Sequence, residues 1–292
     1  MNIAMTNTTR AHPSVQDELR AAESNVRDAP AAPAHRWTLF QWLCIARDWK
    51  RALQQLQVYG QFDPSSTSIV HMYRDLVRAE YARLDVLSGA REPDYLFDDV
   101  PDWMRSLHAA LQMAASGDIG AADSARETAL DAAPLVSGAG VVERSDANPA
   151  RTREAVEFSW IGDSDSRLGP VCEFIAAGRY RWIALDDIAR WRVSRPATLI
   201  DLVWTPCTLT LHDATTLHGF MPVRYPEAAP LLADEGDALP MARKTIWRDI
   251  GRTGVIASGA KTWTTSAGDF GLLELADCTF GKAPADTARP GN

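Results

Sequence analysis

The chain changes its hydrophobic pattern about halfway along. Up to about residue 133, apolar side chains recur at three- and four-residue spacing, which places them on one face of a helix. Leu19, Ala22 and Val26 follow Ser14 at that spacing, predicting a capped helix that runs to about Arg27 and stops at Asp28-Ala29-Pro30. Trp37, Phe40, Trp42, Leu43 and Ile45 predict a second helix, apolar around much of its surface and therefore buried between neighbours. Arg47-Asp48-Trp49 predicts a tight turn in which Asp48 caps a third helix carrying Ala52, Leu53, Leu56 and Val58. Further helices are expected from about Ser68 to Leu87, from Pro101 (at its first position) to about Ala115, and from Gly117-Asp118 to about Ala132.

A weak internal repeat runs through these helices. Pro30 and Pro64 are 34 residues apart and Pro134 lies a further 70 on. In that register Asp48-Trp49 matches Asp118-Ile119, and Ala52 matches Ala122. A 34-residue period of paired helices resembles tetratricopeptide repeats, in which stacked hairpins bury faces that no single hairpin can cover. The stretch Gly89–Val100 interrupts the period.

Beyond Pro134 the pattern becomes strand-like. Pro134–Arg153, rich in Gly, Ser, Ala and charge, reads as a linker. Gly169–Ala177 reads as a short helix with Gly178 just past its end. Strand runs follow at Tyr180–Leu185, Ala189–Ser194, Thr208–His212 and Leu217–Val223. A short helix is expected near Ala238–Lys244, then strands at Thr253–Ala257, Thr262–Thr265 and Leu272–Leu275. The expected fold is multi-domain, α then α+β: a tetratricopeptide-like helical array over residues 14–134, a linker over 135–155, and over 156–280 a mostly antiparallel β domain, a partly open barrel with short helices. Residues 1–13 and 281–292 read as disordered tails.

Composition narrows the function class. Net charge is -8, and no long Lys/Arg run supplies the basic stripe a nucleic-acid binder carries. Cys44, Cys172, Cys207 and Cys278 are widely spaced without a C-x-x-C pair, which reads as reduced core thiols. The N-terminus has no apolar signal core, and no segment reaches the roughly 20 apolar residues of a membrane span, so a cytoplasmic protein with no membrane partner is expected.

Gly254-Val-Ile-Ala-Ser-Gly-Ala-Lys261-Thr262 approaches a phosphate loop, but Ala260 stands between Gly259 and Lys261 and the residues after it look like strand, which favours a β-turn between strands. Asp163-Ser164-Asp165 opens like a calcium loop, yet Arg167 replaces the third acidic ligand and Phe174 stands at the closing position. Asp165 or Ser166 reads better as a cap on the following helix, with Arg167 pairing those carboxylates. His212 and His218 lack a carboxylate or thiol cluster. No nucleophile elbow, zinc-protease helix or dinucleotide fingerprint is present. The ten tryptophans read mainly as core, with at least one expected at an interface.

One ordered series of motifs is more specific. It comprises Trp160-Ile-Gly-Asp-Ser-Asp-Ser-Arg-Leu-Gly-Pro170, Gly178-Arg-Tyr-Arg-Trp-Ile183, Asp201-Leu-Val-Trp-Thr-Pro206, Pro222-Val-Arg-Tyr-Pro226 and Ala242-Arg-Lys-Thr-Ile-Trp247. Arg36-Trp-Thr-Leu-Phe-Gln-Trp-Leu-Cys44 and Asp48-Trp-Lys-Arg-Ala52 stand in the first half. Over roughly Ser14 to Thr279 the chain resembles the ImpE/SciE/TagJ family of type VI secretion accessory proteins. Only the segment Ser137–Glu154 is longer and more irregular than the family pattern. The resemblance implies a non-enzymatic adaptor, without cofactor or metal. The implied partners are the small sheath subunit (TssB type), bound through a helix, and the ClpV-type ATPase that recycles the sheath.

A groove lined from the Trp37–Ala52 and Ser68–Leu87 regions is the expected partner surface, with Trp37, Phe40, Trp49, Tyr73, Arg74 and Tyr81 as its residues. Trp160, Asp163, Asp165, Arg167, Gly169, Pro170, Trp204, Arg224, Tyr225 and Pro226 are expected to be structural, the Asp163–Pro170 run locking the two domains together. The competing readings are a nucleotide-binding enzyme built on Gly254–Thr262 and a generic helical-repeat scaffold.

Overall fold

The computed structural model describes residues 14–144, 152–226 and 236–281. The chain divides between Ser65 and Ser66 into two compact units. The described residues of the first form the helices α1 (Val15–Asp28), α2 (Pro33–Ile45) and α3 (Trp49–Phe62). Ser14 caps α1 in both directions: its hydroxyl accepts from the Asp17 N–H at 3.1 Å, and its own N–H donates to the Asp17 carboxylate. Val15, Leu19, Ala22 and Val26 form the buried stripe of α1. On α2, Leu39, Phe40 and Leu43-Cys44-Ile45 are all buried, as its continuous apolar character predicts.

The second unit starts with helix α4 (Thr67–Leu87), strand β1 (Asp94–Tyr95) and helices α5 (Asp102–Ala115) and α6 (Ile119–Ala132). Strands then follow in order: β2 (Gly138–Arg144), β3 (Thr152–Phe158), β4 (Ile161–Asp163), β5 (Val171–Ala176), β6 (Arg179–Ala184) and β7 (Ile188–Val193). After them come β8 (Trp204–Leu211), β9 (Thr216–Pro222), β10 (Arg224–Tyr225), β11 (Thr245–Ile250), β12 (Gly254–Ala260), β13 (Thr262–Thr265), β14 (Gly268–Gly271) and β15 (Asp277–Phe280). Nine strands make one open sheet in the order β1-β6-β5-β9-β8-β7-β15-β2-β3, and two small sheets run β10-β12-β11 and β14-β13-β4. Among the described residues only β1 with β6 is parallel. The class is α+β, and the large sheet ends on β1 and β3 rather than closing into a barrel. Its core stacks Trp191 on Trp263 at 4.9 Å between ring centroids, with Phe280 edge-on to Trp191.

The two helical hairpins, α2–α3 and α5–α6, share one turn. Ala46, Arg47 and Asp48 donate to the carbonyls of Trp42, Cys44 and Leu43, and Ser116, Gly117 and Asp118 donate to those of Gln112, Ala114 and Met113. Arg47 and Gly117 both take the left-handed conformation, at φ 61° and 88°. Asp48 and Asp118 then cap the next helix by accepting from the N–H three residues on, at 3.2 and 3.0 Å.

Several expectations are corrected. Residues 135–155 are not a linker: β2 and β3 pair in register from Gly138↔Phe158 to Arg144↔Thr152, and β2 also pairs with β15. Residues 145–151 of that segment lie outside the described residues, as do both tails except Gly281. Helices α4 to α6 fall in the same compact unit as the sheet, so a single helical domain over 14–134 is not the division found. Gly169–Ala177 is strand rather than helix. Val171 to Ile175 are all buried, the signature of a strand covered on both faces. Gly178 and Ala177, both at positive φ, form the two-residue turn of the β5–β6 hairpin instead of a helix end. Ala238–Lys244 and Leu272–Leu275 are turns.

Candidate functional site

The motif series converges on a buried ionic cluster. Glu173 sits on β5 between apolar neighbours and is fully buried. Arg83 of α4 meets it with two parallel hydrogen bonds, Nε to Oε1 at 2.6 Å and Nη2 to Oε2 at 2.9 Å. Lys261, in the one-residue gap between β12 and β13, donates to Glu173 Oε2 at 2.7 Å and also to Asp163 Oδ2. Its ammonium lies 5.4 Å and 5.2 Å from the ring centroids of Tyr225 and Trp263. The Tyr225 hydroxyl donates to Asp163 Oδ1 at 2.5 Å and accepts from the Thr262 N–H. Tyr180 donates to Glu173 and accepts from Trp182 Nε1, while Trp204 Nε1 donates to Glu80 at 2.9 Å beside Arg83.

Asp165 forms the next layer. It accepts from the side chain of Arg167 and from the Ala257 N–H of β12. The pairing of Arg167 with a carboxylate is therefore as expected, but the helix that Asp165 was to cap does not exist.

Carboxylates outnumber cations in this interior, and the protonation directions follow. Burial pushes Asp163 up to about 6 despite the opposing charge of Lys261. Burial also acts to raise Glu173, but Arg83 and Lys261 outweigh it and hold the carboxyl well below its usual range. Lys261 is raised: burial opposes its charge, and Asp163 and Glu173 more than compensate. Burial keeps Tyr225 and Tyr180 neutral and pushes the Cys172 thiol up to about 12. The cluster thus offers fixed charges and neutral hydroxyls, and no activated nucleophile. What it does is join α4, β4, β5, β10 and the β12–β13 junction.

The remaining motif residues mostly surround it. Arg224 is buried and donates to the Pro240 carbonyl at 2.7 Å. Pro226 is buried after β10. Gly169 takes φ 50° and accepts the Asp163 N–H, and Pro170 accepts from Leu185. Trp160 is half-exposed at the surface. The lock between helices and sheet is Arg83–Glu173, with Asp163 reaching it through Lys261. Neither Arg83 nor Glu173 was among the sequence candidates. The available signal was a lone Glu inside the run Val171–Ile175, since a charge in a buried strand requires a partner.

Among the six expected partner residues, the structure separates core from surface. Phe40 and Trp49 are buried and cannot meet a partner. Trp37 is half-buried, with its ring 5.2 Å from Phe40 and 5.3 Å from Tyr59. On α4, Tyr73 is half-buried, Arg74 is exposed and Tyr81 is 44% exposed. Ile69, Met72 and Leu84 of the same helix are exposed too.

The nucleotide reading fails on geometry. Gly254–Ala260 is strand β12, with its ladder to β11 running from Ile250↔Gly254 to Thr245↔Gly259, so its amides do not wrap an anion. The Lys261 ammonium is sealed against Asp163 and Glu173. His218 faces Thr208 across a β8–β9 pair. Among the described residues no three His, Cys, Asp or Glu side chains converge as a metal set, and no helix is long and apolar enough to cross a membrane.

Residues 155–279, which hold most of this cluster, match the family model described as ImpE protein. Over 266 residues the chain is 35% identical to a Pseudomonas aeruginosa protein described as type VI secretion system accessory component TagJ, covering 91% of this chain and 87% of that one. The chain belongs to the ImpE/SciE/TagJ family. An X-ray structure of a Vibrio parahaemolyticus protein superposes with a TM-score of 0.78 over 92% of this chain and 94% of that one, at 21% identity, and so has the same fold. Within the ImpE segment lie Asp163, Asp165, Glu173, Tyr225 and Lys261, whereas Glu80 and Arg83 lie before it.

Proposed function

We propose that this chain is a non-enzymatic, cytoplasmic adaptor of a type VI secretion system. In this reading it binds the small sheath subunit and assists sheath assembly or recycling by the ClpV-type ATPase. The observation that carries the reading is the similarity to TagJ over nearly the whole chain. The joining of α4 to the sheet strands by the family-motif cluster is in keeping with a scaffold role, as are the two helical hairpins with one turn geometry.

The partner surface is assigned to α4. Ile69, Met72, Tyr81 and Leu84 leave large apolar side chains in water along this helix, beside Arg74. An amphipathic partner helix can lay its own apolar face on such a stripe. The test is co-purification of the full chain with the purified small sheath subunit. Met72→Asp with Tyr81→Asp should abolish capture while the thermal melt stays unchanged. Unchanged capture would remove the α4 assignment, and no capture by the unaltered chain would remove the sheath partner itself.

A further inference from the structure

A pocket on the far side of Trp182, whose indole nitrogen joins the ionic cluster through Tyr180, has no part in the reading above. It has a volume of about 260 Å³ and opens between the Tyr95–Pro101 segment, the first turn of α5 and the end of β6. Tyr95, Phe97, Met104 and Trp182 supply apolar wall, and Asp99 and Asp187 supply its charge. Small-molecule sites usually span about 300–1,000 Å³, so this one is sized for a single side chain rather than a cofactor. Phe97 is 45% exposed at its mouth, whereas Trp182 is buried beneath.

Carboxylates without an ion-pair partner dominate the charge around it, with Arg105 near Tyr95 and His212 near Asp187. Asp94 and Asp102 are already paired, with Arg179 at 2.8 Å and Arg105 at 3.3 Å. Asp98, Asp99, Asp186 and Asp187 have no ion-pair partner among the described residues. The Tyr95 hydroxyl is buried beside the Glu92 carboxylate. Burial, with the charge of Glu92, pushes it up to about 12, so it remains a neutral donor and acceptor. An anionic ligand would face carboxylates here, and a purely apolar one would leave them desolvated. The complementary shape is a long apolar stem ending in a cation.

We propose that this pocket receives an arginine or lysine side chain from a basic segment of a partner protein. The stem lies on Phe97 and Met104, the head meets Asp99 and Asp187, and Tyr95 hydrogen-bonds the incoming chain. This surface is independent of the α4 face and of the sheath-subunit reading.

The test is nuclear magnetic resonance titration of the full chain with capped tetrapeptides Gly-Leu-X-Gly, where X is arginine, norleucine or glutamate. The arginine peptide should shift the Trp182 indole and Met104 methyl signals saturably, and its affinity should fall as salt rises. Asp99→Asn with Asp187→Asn should weaken it about tenfold, equivalent to ~1.4 kcal/mol. Phe97→Ser, at an exposed position, should weaken it as well without changing the melting temperature. Equal binding of the norleucine or glutamate peptide would overturn the proposal. So would shifts confined to other signals, or tetramethylammonium binding as tightly as the arginine peptide.

Discussion

Arg83 and Glu173 stand 90 residues apart in sequence and meet as a two-pronged ion pair with neither side chain open to solvent. Breaking such a pair by removing one partner leaves an uncompensated buried charge, which costs about 3–5 kcal/mol. Arg83→Met should therefore lower the urea midpoint of the sheet-bearing unit by an amount corresponding to that loss. A change under 1 kcal/mol would mean that Lys261 alone suffices for Glu173.

Lys261→Met tests the same cluster through pH. Asp163 titrates higher in the folded than in the unfolded chain, so its contribution to stability is greatest below its ordinary value of 3.8 and is lost as pH rises through about 6. Glu173 has the opposite sign: its contribution is present above 4.5 and is lost as pH falls toward its lowered folded value. Without Lys261 the first behaviour grows and the second shrinks. The variant should be most destabilised relative to the unaltered chain near pH 8 and should regain ground toward pH 5. Equal loss at both pH values would contradict the assignment.

Tyr225→Phe removes the hydroxyl that donates to Asp163 and accepts from Thr262. Two buried polar groups then lose a partner, at about 1–3 kcal/mol. Denaturant unfolding should show that loss, with circular dichroism at 25 °C unchanged.

Asp118→Ala deletes the cap that accepts the Ala121 N–H, and Asp48→Ala deletes its counterpart at the Arg51 N–H. Each should cost about 0.5–2 kcal/mol, readable in hydrogen exchange at the first turn of α6 or α3. Because the two turns share their hydrogen-bond pattern, the two losses should agree within about 1 kcal/mol.

Calorimetric titration with ATP or GTP should give no heat of binding, and Lys261→Met should not alter the result. Saturable binding to the unaltered chain, lost on that substitution, would reinstate the Gly254–Thr262 segment as a site. The strand pairing of β12 argues against that outcome.

Local chemistry made the helices legible. The apolar spacing from Leu19 to Val26 and the caps at Ser14, Asp48 and Asp118 act within a few residues, so they act alike in any context. The match of Asp48 with Asp118 carried through to one shared turn geometry. Signals open to two uses were misread. Ala177-Gly178 serves a hairpin as well as a helix end, and the Gly- and Ala-rich stretch from Gly138 becomes strand because β3 and β15 arrive to pair with it. The partners of charged residues lay furthest from view. Nothing local to Glu173 names Arg83 or Lys261, since their attraction exists only once folding has removed the water between them. The sequence by itself determined the helices before residue 133, the turns of the two hairpins and the family. The tertiary structure decided which charges are buried, which aromatics are core, and which apolar side chains on α4 and around Phe97 remain in solvent. Burial is a property of the whole fold and of no single segment.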